Sequence, residues 1–259
     1  IHFKTKLSES LHYHFIGIGG IGMSGIAQVL IGKQFSVSGS DVLNNDQTKK
    51  LYSKGATIFN NQNQKNIDTI LIKFPNKKII AVISSAIKKN NIELSYCIEK
   101  KISIRHRSEI LSMIMNNYES IGVAGTHGKT STSTFLFTLL DLCTSNVSGI
   151  VGGILPKYDN NSFIKDTKYF VGELDESDGS ISNYKINLGI LNNIDYDHCD
   201  YYKNIEQMID SFKVFESNSK KLLVNSDCEI IQKNIKSDYS WSIVDINNIN
   251  YSLIPINQT

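Results

Sequence analysis

The chain of 259 residues has little of several features that mark particular classes of protein. Its 27 basic and 25 acidic side chains leave a net charge of +2, so no basic surface for nucleic acid is expected. The four cysteines are far apart and form no CxxC pair, which disfavours a disulfide framework or a cysteine metal site. No apolar run approaches the roughly 18 residues of a membrane span, and the first residues lack the apolar core of a signal peptide. These absences predict a cytoplasmic protein with reduced thiols, no membrane insertion and no nucleic-acid partner.

Arginine is nearly absent as well. The chain uses lysine almost everywhere, and its two arginines, Arg105 and Arg107, flank His106. A guanidinium fork suits phosphate and carboxylate groups better than an ammonium does. We therefore predict that this segment contacts an anionic substrate, the alternative being two ordinary surface charges. Ser84 and Ser85, at the end of the apolar segment IIAVISS, are expected in the same crevice.

Apolar segments of strand length alternate with helical patterns from Tyr13 onward. This βαβ order predicts an α/β fold with parallel sheets covered by helices. The pattern restarts at ESIGVAG, so we expect a Rossmann-like domain over residues 1–117 and a P-loop α/β domain over residues 118–259. The segment LPKYDNNSFIKDTK has turn composition and is predicted to be a loop. The second domain is expected to be incomplete.

The first glycine motif is FIGIGGIGMSG. Its residues Gly17, Gly19 and Gly22 fit the pattern G-x-G-x-x-G after a strand and at the start of a helix. Such glycines, with Gly20 beside them, permit a tight turn and let a diphosphate approach the helix N-terminus. Asp41 follows at the end of the next strand, at the separation where an acidic side chain meets a ribose hydroxyl. The motif predicts a diphosphate site for a nicotinamide dinucleotide or a UDP-sugar; a glycine-rich turn without ligand is the alternative.

The second glycine motif is GVAGTHGKTSTSTF, which also joins a strand to a helix. In a P-loop, backbone N–H groups surround phosphates, a lysine reaches the outer phosphates and the next hydroxyl binds Mg²⁺. Lys129 and Thr130 take these positions, but Val123 stands where a standard P-loop has its first glycine. The predicted ATP-binding residues are Gly125, Thr126, His127, Gly128, Lys129, Thr130 and Ser131.

The shortened form GT-x-GKT-S/T resembles the phosphate loop of the Mur ligases and the folylpolyglutamate synthases. The segments FIGIGGIGMSGIA, VISSAI, IRHRSEIL, GELDESDGSI and NNIDYDHCD resemble further Mur ligase motifs in the same order, from about His14 to Asp200. The resemblance implies an ATP-dependent amide ligase that joins L-alanine to UDP-N-acetylmuramate through an acyl phosphate, with ATP and Mg²⁺ as cofactors. The third domain of that family is expected to be absent here. An inactive nucleotide-binding fragment, a murein peptide ligase and a nicotinamide-dependent oxidoreductase are the alternatives.

The resemblance also implies roles for residues at strand ends. Glu173 would bind Mg²⁺ together with Thr130, and His198 would contact a second Mg²⁺, although histidine is an unusual magnesium ligand. Asn193 would orient the substrate carboxylate, and Lys129 would stabilise the transferred phosphoryl group. The expected catalytic residues are Lys129, Asn193 and His198.

Two groups of expected contacts complete the site. The rest of the acidic run ELDESD is expected to organise Mg²⁺ and substrate, or to be a solvated turn; its members are Asp175, Glu176 and Asp178. The expected UDP-sugar contacts are Gly17, Gly19, Gly20, Gly22, Asp41, Ser84, Ser85, Arg105, His106 and Arg107.

Overall fold

A computed structural model describes residues 10–144, 146–198 and 200–242, together with the backbone at Ile254–Pro255. Helices alternate with strands, and the strand pairs are mostly parallel. This architecture confirms the predicted α/β class. Within the described ranges, every helix is too short or too polar to cross a lipid bilayer.

The chain divides into two compact units. The first comprises Ile1–Leu111 with Ile154–Ile164, and the second comprises Ser112–Gly153 with Lys165–Thr259. The division near residue 111 lies a few residues before the domain boundary expected from the sequence. The sequence did not indicate that residues 154–164 belong to the first unit.

The first unit contains a five-stranded parallel sheet in the order β3-β2-β1-β4-β5. Its strands are β1 (Leu11–Ile16), β2 (Ser36–Ser40), β3 (Thr57–Phe59), β4 (Lys78–Ile83) and β5 (Ser103–His106). Its helices are α1 (Ile21–Gly32), α2 (Asp46–Ser53), α3 (Gln64–Lys73), α4 (Ile92–Glu99) and α5 (Arg107–Met115). Strand order reverses beside β1, and ligands of open α/β sheets bind outside the strand ends at such a point. The first glycine turn follows β1 and therefore lies at this position.

Apolar side chains from strands and helices pack together on one side of this sheet. Ile16 and Ala81 come from the adjacent strands β1 and β4, and Ile67, Ile70 and Leu94 come from α3 and α4. All five are at most 5% exposed, so they form a dehydrated core that fixes the strand ends.

The second sheet has eight strands in the order β13-β12-β11-β10-β6-β9-β7-β8. Its strands are β6 (Glu119–Ala124), β7 (Ser148–Leu155), β8 (Asn160–Phe163), β9 (Tyr169–Glu173), β10 (Ile186–Leu191), β11 (Ser219–Asn225), β12 (Tyr239–Trp241) and β13 (Ile254–Pro255). Its helices are α6 (Lys129–Thr144), α7 (Ile205–Asn218) and α8 (Glu229–Asn234), with a 3-10 turn at Ser180–Asn183. The central strand β6 pairs in parallel with β9 and β10, so their carboxyl ends meet at one edge.

The prediction of a loop over LPKYDNNSFIKDTK is wrong, because Asn160–Phe163 forms the strand β8. A turn precedes it, in which the Tyr158 N–H donates to the Leu155 carbonyl at 3.0 Å. Polar composition concealed the strand, since Asn161 and Ser162 are buried in it. The Asn161 amide donates to the Ile21 carbonyl at 3.0 Å, which satisfies part of its hydrogen-bonding capacity without water.

Candidate nucleotide and substrate sites

The turn between β6 and α6 consists of residues 125–128. Gly125 and Gly128 have φ values of +132° and +76°, which favour glycine strongly. A side chain at Gly125 would also lie 3.1 Å from atoms of Asn192 and Asn193. The turn leads directly into the N-terminus of α6, where backbone N–H groups lack partners within the helix and favour anions. The short spacing of the motif thus still builds a tight turn that ends at a helix N-terminus.

Two asparagines after β10 hold this turn in place. The Asn193 side chain accepts from the His127 N–H at 2.8 Å and donates to the His127 carbonyl at 3.1 Å. Asn192 donates to the Thr132 hydroxyl at 3.0 Å. Asn193, which we expected at the substrate, therefore contacts the phosphate loop in this structure. Asn192 was not predicted, because its contact with Thr132 joins segments 60 residues apart in sequence.

His127 and Thr126 make a further connection to Asp195. The His127 ring lies 3.6 Å from the Asp195 carboxylate, and both side chains are more than half exposed. The Thr126 hydroxyl donates to the Asp195 carbonyl and accepts from its N–H. Asp195 was not predicted, since nothing in the local pattern links it to the loop.

The Lys129 ammonium is surrounded by acceptors. It donates to the carbonyls of Gly125 and Thr126 at 2.7 Å and 3.2 Å, and to the Glu176 carboxylate at 2.7 Å. Its side chain is 17% exposed, and that of Glu176 is fully buried. Because an ammonium has three donors, these contacts use them all.

Glu173, at the end of β9, lies against the first turn of α6. Its carboxylate accepts from the hydroxyls of Thr130 and Ser133, both at 2.9 Å, and from the Gly152 N–H at 2.6 Å. Thr130 and Ser133 share one helix face because they are three residues apart, a spacing that could have indicated Ser133 from the sequence. Thr130 and Glu173, both expected at Mg²⁺, are thus in direct contact.

The oxygen atoms of Thr130 and Glu173 fit the preference of Mg²⁺ for hydroxyl and carboxylate ligands. Across residues 10–144, 146–198 and 200–242, no three histidine, cysteine or acidic side chains come together as a metal site. A magnesium ion here would therefore take its remaining ligands from water and phosphate, as is usual for Mg²⁺ beside a nucleotide.

Glu176 joins Lys129 to His198. Its Oε1 atom lies 3.2 Å from His198 Nε2, while its Oε2 atom is buried and has no hydrogen-bond partner within the described part of the chain. Burial raises the pKa of the Glu176 carboxyl, and the nearby Lys129 charge opposes that shift. The Tyr202 hydroxyl donates to the Glu176 carbonyl at 2.7 Å, and burial raises the pKa of Tyr202 to about 12.

The other two acids of this run shape the turn. Asp175 accepts from the Ser177 N–H and Asp178 from the Ser180 N–H, both at 3.0 Å. Their carboxylates therefore act on the local backbone, whereas Glu173 and Glu176 face the phosphate loop.

The first glycine turn, in the other unit, is held by β2 and the segment after it. The N–H groups of Gly17 and Ile18 both donate to the Ser40 carbonyl, at 2.8 Å and 3.0 Å. Asp41 accepts from the Gly19 N–H at 2.8 Å. The Asn45 amide donates to the Gly19 carbonyl at 3.0 Å while its oxygen caps α2. Asn45 was not predicted, because its contact with the turn is long-range.

The two arginines have different surroundings. Arg107 lies beside α1, where its guanidinium would be 3.1 Å from a Cβ atom added at Gly22. Arg105, at the end of β5, instead donates to the Glu109 carboxylate at 2.7 Å, in an exposed pair four residues apart in sequence. The structure therefore places Arg107 beside Gly22, whereas Arg105 pairs with Glu109.

The remaining expected substrate contacts lie close to this turn or to each other. The Ser85 hydroxyl is 3.2 Å from His106 Nε2. The Ser84 carbonyl accepts from the Ile87 N–H, and Ile87 would be 3.1 Å from a Cβ atom at Gly17. Gly20 provides the N-terminal cap of α1.

The fold defines a class of protein: a two-unit α/β protein with a five-stranded parallel sheet in doubly wound order and an eight-stranded sheet whose central strand leads through a glycine turn into a helix. Two family profiles match the chain, "Mur ligase family, catalytic domain" over residues 12–119 and "Mur ligase middle domain" over residues 123–250. The chain belongs to the Mur ligase family.

Two relatives illustrate the similarity in sequence. A UDP-N-acetylmuramate–L-alanine ligase of Prochlorococcus marinus subsp. pastoris is 58% identical over 252 residues, which are 97% of this chain and 53% of that protein. The protein of the same name from a Synechococcus strain is 37% identical over 97% of this chain and 52% of its own length. The chain spans about half the length of these relatives.

Solved structures share the fold. A UDP-N-acetylmuramate:L-alanyl-γ-D-glutamyl-meso-diaminopimelate ligase from Neisseria superimposes with a TM-score of 0.81 at 20% identity, covering 95% of this chain and 84% of that one. A UDP-N-acetylmuramate–alanine ligase from Thermotoga maritima gives a TM-score of 0.76 at 23% identity, covering 89% and 54%. These neighbours confirm the predicted combination of a Rossmann-like and a P-loop unit.

Proposed function

We propose that this chain supplies the substrate-binding and ATP-binding units of a ligase that joins L-alanine to UDP-N-acetylmuramate. The observation that carries the proposal is the arrangement of Lys129, Thr130 and Glu173 around one anion-binding turn. Relatives that match 97% of the chain are named for this reaction. An ATP-dependent ligase needs such a turn because phosphoryl transfer depends mainly on positioning and charge stabilisation.

The proposed reaction has two steps. A carboxylate oxygen of UDP-N-acetylmuramate attacks the γ-phosphorus of ATP, ADP leaves, and an acyl phosphate forms. The amine of L-alanine then attacks the acyl carbon, phosphate leaves, and the nitrogen loses a proton to give the amide. Lys129 would donate to the γ-phosphate in the first step, and the N–H groups at the start of α6 would hold the other phosphates.

Thr130 and Glu173 would hold Mg²⁺, with His198 near the second cation position. When bound, Mg²⁺ would offset the negative charge of the triphosphate and the substrate carboxylate. Asn193 contributes indirectly in this proposal, because it fixes the turn through both His127 backbone groups.

The first unit would bind the UDP part of the substrate. The turn at Gly17 and Gly19 exposes the N-terminus of α1 to a diphosphate, and Arg107 adds a positive charge beside Gly22. The Asp41 carboxylate accepts a hydrogen bond from the Gly19 N–H, so it supports the turn independently of any hydrogen bond to a ribose hydroxyl.

Lys129→Ala tests the proposal. We expect ATP affinity to fall about 100-fold or more, because an aligned cation on a phosphate is lost, while UDP-N-acetylmuramate affinity stays unchanged. Calorimetric titration of each ligand measures both effects. Lys213→Ala, which removes an exposed lysine of α7, is the matched control and should leave both affinities intact. Unchanged ATP affinity in Lys129→Ala would contradict the assignment of the turn.

Phosphate release separates the remaining alternatives. Release that requires both UDP-N-acetylmuramate and L-alanine supports the ligase, whereas release with a murein tripeptide in place of L-alanine supports a murein peptide ligase. Binding of both nucleotides without release identifies the chain as a nucleotide-binding part of a longer enzyme, in keeping with its span of about half of its relatives.

A further inference from the structure

Lys129 has a carboxylate partner that its role at a phosphate does not require. Glu176 Oε1 accepts from Lys129 at 2.7 Å, and the carbonyls of Gly125 and Thr126 accept the other donors. A phosphate that binds Lys129 must therefore displace or share one of these acceptors.

Charge distinguishes the three acceptors. The two carbonyls are neutral and belong to the turn itself, so their positions are fixed by the backbone path. Glu176 is the anionic partner of Lys129 among the described residues, and it reaches the ammonium through a side chain. An incoming phosphate is also an anion. If it replaces Glu176 rather than a carbonyl, the Lys129 ammonium keeps one anionic partner and two neutral ones.

Glu176 cannot move to water easily after such a displacement. Its side chain is fully buried, and its carbonyl is held by the Tyr202 hydroxyl at 2.7 Å. Its Oε2 atom already has no hydrogen-bond partner within the described residues. A displaced carboxylate would thus remain near the triphosphate, where two like charges in a poorly solvated site repel each other.

A divalent cation would relieve this repulsion. His198 Nε2 lies 3.2 Å from Glu176 Oε1, which also contacts Lys129. An imidazole nitrogen and a carboxylate oxygen that could bind a cation are therefore already next to Lys129. We propose that Glu176 occupies the place of the terminal phosphate on Lys129 and thereby makes nucleotide binding depend on a divalent cation. The inference rests on the proposed nucleotide site and assigns Glu176 as a positioning residue that acts through Lys129.

The test compares affinities with and without the cation. The non-hydrolysable analogue AMP-PNP is titrated into the wild-type chain and into Glu176→Gln, in MgCl₂ and in EDTA, by calorimetry. The amide keeps the size of the side chain and removes its charge, so affinity in EDTA should rise about 10-fold, while affinity in MgCl₂ should change by less than about 3-fold. Unchanged or weaker binding in EDTA overturns the proposal.

Glu206→Gln is the matched control. It removes one negative charge from an exposed position at the start of α7, and it should shift neither affinity. If both variants tighten binding in EDTA equally, net charge accounts for the effect and the proposal fails. Circular dichroism checks that Glu176→Gln is folded.

A measurement on the wild-type chain does not depend on any variant. In a crystal structure with AMP-PNP and Mg²⁺, the distance from Lys129 Nζ to Glu176 Oε1 should exceed hydrogen-bonding range, and a retained contact of 2.7 Å would overturn the inference. A wild-type chain that binds no AMP-PNP in MgCl₂ contradicts the proposed nucleotide site itself. Normal wild-type binding with no response of Glu176→Gln in EDTA contradicts only this inference.

Discussion

The two glycine turns differ in the charge that neighbouring side chains place on them. In the first unit, the Asp41 carboxylate accepts from the Gly19 N–H, and the cation, Arg107, comes from a distant segment. In the second unit, the cation is Lys129, within the motif, and it donates to the turn carbonyl of Gly125. Glycines thus determine the backbone path in both turns, while the neighbouring side chains bring a carboxylate to the first turn and an ammonium to the second.

Gly152→Ala should disturb Glu173 beside the second turn while sparing the first turn, and its expected effect is the largest of the three that follow. A Cβ atom at Gly152 would overlap the Glu173 carboxylate, which also accepts from the Gly152 N–H. Glu173 would have to leave Thr130, so affinity for ATP in the presence of Mg²⁺ should fall by about 100-fold. Calorimetry with ATP and with UDP-N-acetylmuramate measures both sites, and the second affinity should stay constant.

The neighbouring glycine provides the control for this change. A Cβ atom at Gly153 would lie 3.3 Å from the Thr130 methyl group, a tight contact that a small shift can relieve. Gly153→Ala should therefore bind ATP nearly as well as the wild type. Wild-type affinity in Gly152→Ala would show that Glu173 does not support the cation.

Asp41→Ala should disturb the first turn while sparing the second, with a smaller effect than that of Gly152→Ala. It removes the acceptors of the Gly19 and Leu43 N–H groups, at 2.8 Å and 2.9 Å. We expect UDP-N-acetylmuramate affinity to fall about 10-fold, which is about 1.4 kcal/mol and typical of a lost hydrogen bond to a charged group. Asp41→Asn keeps one acceptor oxygen and should lose less. Equal losses of ATP and UDP-sugar affinity would argue against separate sites.

The sequence was sufficient for features that depend on local pattern. Alternation of strand and helix signals predicted the α/β class, and glycine spacing placed both turns correctly between a strand and a helix. The strand β8 was missed because its segment has the amino-acid composition of a turn, although Asn161 within it is buried. The roles of Asn192 and Asn45 were missed because their contacts depend on how distant segments come together, which no local period encodes.

Glu176 illustrates a different gap. An acidic run such as ELDESD is compatible with a solvated turn, and two of its members, Asp175 and Asp178, do bind the local backbone. Only the path of the chain after β9 buries Glu176 against Lys129. The sequence predicted that acids would gather near the loop but could not specify which of them would meet the lysine.

The first unit contains a series of buried, hydrogen-bonded polar side chains that starts in β1. His12 lies between the Ser36 and Ser38 hydroxyls, each at 2.7 Å, and its ring stacks on Phe74. His14 continues the chain from Ser38 at 2.8 Å. Both histidines are fully buried within β1. Because burial disfavours the charged form of an imidazole, protonation of His12 is linked to the stability of this unit.

The free energy of unfolding should therefore fall in acid, in part because of His12 in the first unit. This effect is expected to be smaller than those of Gly152→Ala and Asp41→Ala. Burial, followed by the charges of His14, Lys77 and Lys73, lowers the pKa of His12 from 6.5 to about 3. The unfolded chain binds a proton at His12 below pH 6.5 that the folded chain does not bind, so this contribution to stability is full above pH 6.5 and is lost as the pH falls toward about 3. Linkage gives a loss on the order of 1 kcal/mol for the pH unit below pH 7. Urea unfolding at several pH values measures the free energy of unfolding of the wild type and of His12→Gln. The variant should lose less stability than the wild type between pH 7 and pH 6. If the free energy of unfolding of both proteins has the same pH dependence, His12 is protonated equally in the folded and the unfolded chain.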